Sequence, residues 1–133
     1  MKKILIVLIF LSYLFEGSAQ TYEPSSAAAT PPNRGETDVI SLFSDAYTNI
    51  VGIDYNPNWG QQTVYTAFDI NGNAIIQYSN LNYQGIDFSG NIQDVSSMEK
   101  LHIDVWTADA ASIDIYPISS SSAEFFVTKE LIA

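Results

Sequence analysis

Hydrophobic positions along the chain fall into short runs broken at close intervals by Gly, Asn and Pro, and no segment sustains a helical period. That spacing predicts strands, in the manner of sandwiches and barrels. The clearest is residues 100–106, where Leu101, Ile103 and Val105 point one way and His102, Asp104 and Trp106 the other, a period of two. Residues 112–118 repeat the alternation, with Ile113 and Ile115 on one face and Asp114 and Tyr116 on the other, so two neighbouring strands are expected to share a half-wet face. Residues 63–70 and 74–79 flank Asn71-Gly72-Asn73, and Asn-Gly is among the strongest short hairpin signals, which predicts an antiparallel pair. A first run at 38–45, a weaker one at 83–88 that holds Gly85, and a final one at 124–127 bring the candidate strands to seven, while 95–98 suits a single helical turn and 47–62 reads as a long polar and aromatic loop. Seven strands in about a hundred residues predict an all-β, antiparallel β-sandwich. Residues 129–133 follow with no turn or closing strand, so the sandwich is expected to be incomplete, with an unpaired inner edge.

The first residues have a different pattern. Lys2 and Lys3 precede an apolar run of about eleven residues, 4–14, and Gly17-Ser18-Ala19 then offers the small side chains a signal peptidase requires. Spanning a bilayer takes about twenty residues, so a removable secretion signal over 1–19 is favoured over a permanent anchor. Residues 20–35, rich in Pro, Ser, Ala and Thr, read as a flexible linker, and the folded module is expected over 36–133. The expected address is outside the cell or on the surface of a bacterium.

Charge narrows the partners. Loss of the leader removes Lys2, Lys3 and Glu16 and moves the formal charge from −10 to −11, leaving Arg34, Lys100 and Lys129 as the basic residues. Nucleic-acid binding needs Lys and Arg to neutralise phosphates, so that class is set aside. The balance suits solubility, divalent cations, and neutral or cationic ligands. Cysteine is absent, which excludes thiolate metal sites and thiol nucleophiles and leaves the fold to its apolar contacts.

Catalytic chemistry finds little support. Glycoside hydrolysis needs two carboxylates about 5 to 9.5 Å apart, and Asp104 with Asp114 on adjacent strands is the nearest hint, read more simply as solvated face residues. His102 is the sole histidine and lacks a nucleophile elbow beside it, and it cannot by itself supply a zinc ligand set. For calcium, which takes oxygen ligands in loops, Asp38, Asp45 and Asp54, with Asn49, cluster around the first strand and its loop, although turn capping explains them as well. Sugar binding asks for flat rings that stack on pyranose faces, with amides and hydroxyls alongside. Tyr55-Asn56-Pro57-Asn58-Trp59-Gly60-Gln61-Gln62 holds that chemistry in one loop, with Trp59, Asn58, Gln61 and Tyr55 as candidate ligand-binding residues. The competing reading makes Trp59 a plug over the end of the core. A second candidate platform is His102, Asp104, Trp106, Asp114 and Tyr116, against the simpler reading that Trp106 packs at the sandwich rim. Tyr78, Asn80, Asn82, Tyr83 and Gln84 offer more of the same chemistry with less specificity.

Residues 30–49, then Asn56-Pro57-Asn58-Trp59-Gly60-Gln61, then Leu101-His102-Ile103-Asp104-Val105-Trp106-Thr107, form a set of wordings that resembles one group. The chain is similar, over roughly residues 31–118, to the carbohydrate-binding-type modules attached to secreted glycoside hydrolases of flavobacteria and other Bacteroidetes, laminarinase-like enzymes included. The resemblance implies a jelly-roll sandwich of the galactose-binding-like kind, noncatalytic, beside a tethered glycoside hydrolase or sorting domain. It also implies further closing strands, which are expected to be missing here, and the structural calcium such modules often hold, with no ligands assigned. The function expected is therefore noncatalytic binding of a polysaccharide such as a β-glucan. The alternatives are a structural or adhesive extracellular sandwich without sugar binding, and a fragment of a secreted glycoside hydrolase.

Overall fold

The computed structural model describes residues 23–119 and 126–131. The expected signal over 1–19 lies outside those residues, as does much of the run at 124–127. Among the described residues no helix is long and apolar enough to cross a membrane. The protein is all-β: β1 (Val64–Ile70), β2 (Asn73–Ser79), β3 (Ser112–Ile115) and β4 (Val127–Glu130) form two antiparallel two-stranded sheets, β1 with β2 and β3 with β4. Single 3₁₀ turns at Glu36–Asp38 and Ser89–Asn91 are the remaining regular elements among the described residues.

The first hairpin forms where the sequence predicts it. Asn71 and Gly72 take φ of 55° and 87°, the paired positive values of a type I′ turn, whose twist matches that of the flanking strands. The Gly72 amide donates to Asp69 Oδ1 at 2.7 Å and closes the loop. Ala at position 72 would have to hold a left-handed backbone. Gly72→Ala is therefore expected to cost about 1–2 kcal/mol, read as a lower urea midpoint at constant slope.

Register follows from that turn, running from Ile70 opposite Asn73 to Val64 opposite Ser79. One face carries Tyr65 opposite Tyr78, their ring centroids 6.0 Å apart, and Ala67 opposite Ile76. The Tyr78 hydroxyl donates to the Tyr55 carbonyl at 2.7 Å, and the Tyr55 hydroxyl to the Leu42 carbonyl at 2.6 Å. Phe43 meets the Tyr55 ring edge-on at 5.5 Å. This chain of contacts lays the 42–55 loop along the tyrosine side of the hairpin. Asp45 Oδ2 accepts from the Ala74 amide at 2.7 Å and covers one donor on the edge of β2.

Burial raises the Tyr78 phenol to about 12 from 10.0, with Tyr65, Tyr55 and Asp54 adding to the shift, and burial raises Tyr55 as well. The unfolded phenol releases its proton first, so this stabilisation is fully present below about pH 10 and is lost as pH climbs through 12. Urea midpoints measured between pH 9 and 12 should fall in that window. Tyr78→Phe should shift the curve down by about 1 kcal/mol for the lost hydrogen bond and flatten its alkaline fall, leaving the weaker Tyr55 contribution.

Three predicted strands do not become ladders. Residues 38–45 contribute one parallel bridge, Ser41 with Asn49, and residues 83–88 one antiparallel bridge, Asp87 with Asp54. Residues 100–106 make no backbone hydrogen bond among the described residues. Alternation specifies a backbone shape and two faces, whereas a ladder also needs a partner edge in register. The expected partner, 112–118, instead gives β3, which pairs with β4 from Ser112 opposite Glu130 to Ile115 opposite Val127. The 95–98 segment does form a turn, closed by Met98 N–H to the Val95 carbonyl at 3.0 Å.

Among the described residues Pro57 and Ser41 are buried, and no alanine, valine, leucine, isoleucine, methionine or aromatic side chain is. The Ser41 hydroxyl donates to Asn49 Oδ1 at 2.6 Å, and Asn49 Nδ2 donates to the Ser44 carbonyl at 3.2 Å. Near β3 and β4 the apolar residues line an open groove of about 290 Å³ formed by Leu101, Ile103, Ile115, Pro117, Val127 and Lys129. Leu101 and Ile103 thus share this groove with Ile115 of β3 and make no backbone hydrogen bond to it.

Candidate functional site

Beyond Val64 and Ser79 the two chains leave the hairpin side by side, and this brings the 57–63 loop against residues 80–85. Side-chain amides bind the two segments. The Gln62 amide donates to Asn82 Oδ1 at 2.9 Å, Asn80 Nδ2 to the Gln62 carbonyl at 3.3 Å, and Thr63 Oγ1 to the Tyr83 carbonyl at 2.8 Å. Asn80 takes φ of 51°, a left-handed conformation asparagine tolerates, where the chain turns out of β2.

Within the loop, Trp59 is held at both ends of its peptide unit. Its amide donates to Gln61 Oε1 at 2.8 Å, and its carbonyl accepts the Tyr83 hydroxyl at 2.8 Å. Gln61 Nε2 donates to the Pro57 carbonyl at 2.6 Å, so one glutamine side chain spans the turn. Pro57 is buried and Gly60 has φ of 84°, a value that favours glycine. Behind the indole lies Gly85. A Cβ built there would stand 1.9 Å from Trp59 Cζ3, 2.4 Å from Cη2 and 2.6 Å from Cε3. The two bonded neighbours of Cζ3 are only 0.5 and 0.7 Å farther than Cζ3 itself, less than an approach in the ring plane would give, so the approach is onto the ring face and not against its edge. The indole remains 47% exposed, and its N–H donates to no protein group among the described residues.

The surroundings are neutral. Residues 57–63 and 80–86 contain no charged side chain, and the nearest carboxylates along the chain are Asp54 and Asp87, whose backbones pair at 2.7 and 2.8 Å. Asp87 is held below the usual carboxylate range by hydrogen bonds from the Ser89 amide and hydroxyl.

The four loop candidates take different places. Trp59 is presented to solvent, and Asn58 is exposed, its Oδ1 accepting the Gly60 amide at 3.3 Å. Gln61 braces the loop. Tyr55 lies behind it, with its hydroxyl engaged by Leu42. Gly85 was not legible as a site residue, although the Asn71-Gly72 turn fixes a register that, continued outward, carries Trp59 to the neighbourhood of Gln84 and Gly85.

The second platform is divided. His102 Nε2 and Asp104 Oδ2 are 3.2 Å apart on an exposed surface, Asp114 accepts from Thr128 Oγ1 at 2.6 Å, and Tyr116 stacks on Phe126 at 5.0 Å and 24°. Trp106 is half exposed and makes no hydrogen bond or ring contact among the described residues. Asp38, Asp45 and Asp54 do not converge: no group of three or more acidic or histidine side chains able to hold a metal occurs among the described residues. Asp45 accepts from Ala74, Asp54 Oδ1 accepts from the Asn56 amide at 2.9 Å, and Asp38 lies against Gly35. These three carboxylates do not by themselves form a calcium cage. No family model, curated protein or solved structure matches the chain.

Proposed function

We propose that this chain is an exported, noncatalytic carbohydrate-binding module, built on the jelly-roll plan of galactose-binding-like sandwiches, that uses Trp59 to hold a neutral polysaccharide such as a β-glucan. The observation that carries the reading is the indole of Trp59, backed on one face by Gly85, 47% exposed, and carried on a loop rich in side-chain amides and free of charge. An equatorially substituted pyranose presents a flat C–H face, which stacks on such a ring while hydroxyls around its rim meet amide donors and acceptors. Asn58, with a free amide nitrogen, is the nearest such partner, while Gln61 and Tyr55 act through the shape of the loop. The acidic balance of the chain opposes anionic glycans. A single stacking contact is weak, and weak contacts suffice where a tethered glycoside hydrolase raises the effective concentration. Trp106 with Asp104 and Tyr116 is a subsidiary platform in this reading, and structural calcium belongs to the resemblance to sandwich modules.

A structural or adhesive role is favoured by a different observation, the exposed apolar residues 101, 103 and 105 on a segment with no ladder partner among the described residues. Affinity electrophoresis through gels holding soluble β-1,3-glucan, β-1,4-glucan or an anionic glycan separates the two. Retardation by a neutral glucan is expected. Migration unaffected by every glycan would overturn the carbohydrate reading in favour of the structural one.

A further inference from the structure

We infer that Gly85 is a positioning residue that makes Trp59 a one-sided platform, suited to a polysaccharide that offers one C–H face at a time and not to a sugar clamped between two rings. The inference rests on the carbohydrate reading for its ligand, and on geometry alone for the role of Gly85. Glycine usually marks a backbone that other residues avoid, as at Gly52, Gly60 and Gly72, where φ is positive. Gly85 is not among them. Its backbone would accept alanine, and what excludes a side chain is the indole of Trp59, whose Cζ3 lies 1.9 Å from the position of the missing Cβ.

The consequence is directional. With the Gly85 Cα against one face of the benzo ring at Cζ3, ligand is kept from that face and the ring is kept from tilting toward Gly85. The Tyr83 hydroxyl on the Trp59 carbonyl and the Gln61 amide oxygen on the Trp59 amide fix the backbone from which the ring springs. Among the described residues no second aromatic ring stacks on Trp59, and the side chain is 47% exposed. A rigid ring loses little freedom on binding, and this preorganisation is what favours a low-affinity site. Gly85 thus serves binding without touching the ligand.

The test reads the indole before it reads the sugar. In a Trp106→Phe background Trp59 is the sole tryptophan, and adding Gly85→Ala is expected to shift its emission to the red and raise its quenching by acrylamide, as the covered face opens. In the Trp106→Phe protein that keeps Gly85, a soluble β-1,3-glucan should protect Trp59 from quenching, and Gly85→Ala should weaken that binding about tenfold. Stability supplies an independent arm through a double-mutant cycle. Gly85→Ala is expected to lower the urea midpoint when Trp59 is present and to leave it unchanged in a Trp59→Ala background. Should Gly85→Ala fail to fold alone yet fold with Trp59→Ala, the inference stands. An equal loss in both backgrounds, or an emission and quenching of Trp59 indifferent to the substitution, would overturn it. If the cycle and the quenching come out as expected while no glycan binds, the carbohydrate reading fails and the positioning role of Gly85 holds.

Discussion

Trp59→Ala is expected to abolish retardation in a gel containing neutral soluble glucan, while Trp106→Ala leaves most of it in place. A large aromatic anchor in the centre of a contact is worth about 2 kcal/mol or more on truncation, roughly a thirtyfold loss in Kd. For a module whose contacts are weak from the start, that loss takes binding below detection. The two tryptophans look alike in sequence, each in a polar and aromatic neighbourhood, and both are about half exposed, at 47% and 51%. Their supports differ. Trp59 rests on Gly85 and is framed by Gln61 and Tyr83, whereas Trp106 ends a segment without backbone partners and touches no other ring among the described residues. A freely moving indole must be ordered by its ligand and gives back part of the stacking energy in doing so. Retardation that survives Trp59→Ala and disappears with Trp106→Ala would place the sugar site at Trp106 and overturn this assignment.

Ile103→Lys is expected to leave the urea midpoint within about 0.5 kcal/mol of the parent while removing most of the fluorescence of a hydrophobic dye such as anilinonaphthalene sulfonate. In a closed sandwich the same change would bury a lysine among aliphatic groups, and a buried, unpaired charge costs several kcal/mol. Here Ile103 is 50% exposed, Leu101 is 63% exposed, and both open onto the groove beside Ile115 and Val127. Lysine can lay its methylenes along that groove and keep its ammonium in water. A contiguous apolar surface of this kind attracts dyes and other chains, and a charge in its middle interrupts it. Unfolding of the Ile103→Lys protein would mean that this face is covered in solution.

The hairpin was legible because everything that specifies it is local. Asn71-Gly72 supplies two positive φ values, the flanking residues supply β-branched and aromatic side chains, and the loop length sets the register without help from the rest of the chain. The same locality explains why 95–98 was recognisable as a turn. The strand character of 100–106 was equally plain in its alternation, yet period alone does not choose an edge to pair with, and β3 pairs with β4, a segment more than ten residues away, while Leu101 and Ile103 only share a groove with Ile115. For the acidic residues the sequence offered proximity along the chain, and the fold separates them, with Asp45 at the edge of β2, Asp54 and Asp87 in a backbone bridge, and Asp69 in the turn.

By itself, then, the sequence determined the all-β character, the hairpin and its register, the neutrality of the loop around Trp59 and the acidity of the chain, because propensity, turn chemistry and charge are properties of residues and their near neighbours. Only the tertiary structure decided that Trp59 and not Trp106 would be braced, that a glycine 26 positions later would lie against its ring, and that the apolar face of 101–105 would stay open. Those outcomes depend on which distant segments come together, and distance along the chain carries no force that a local pattern could record.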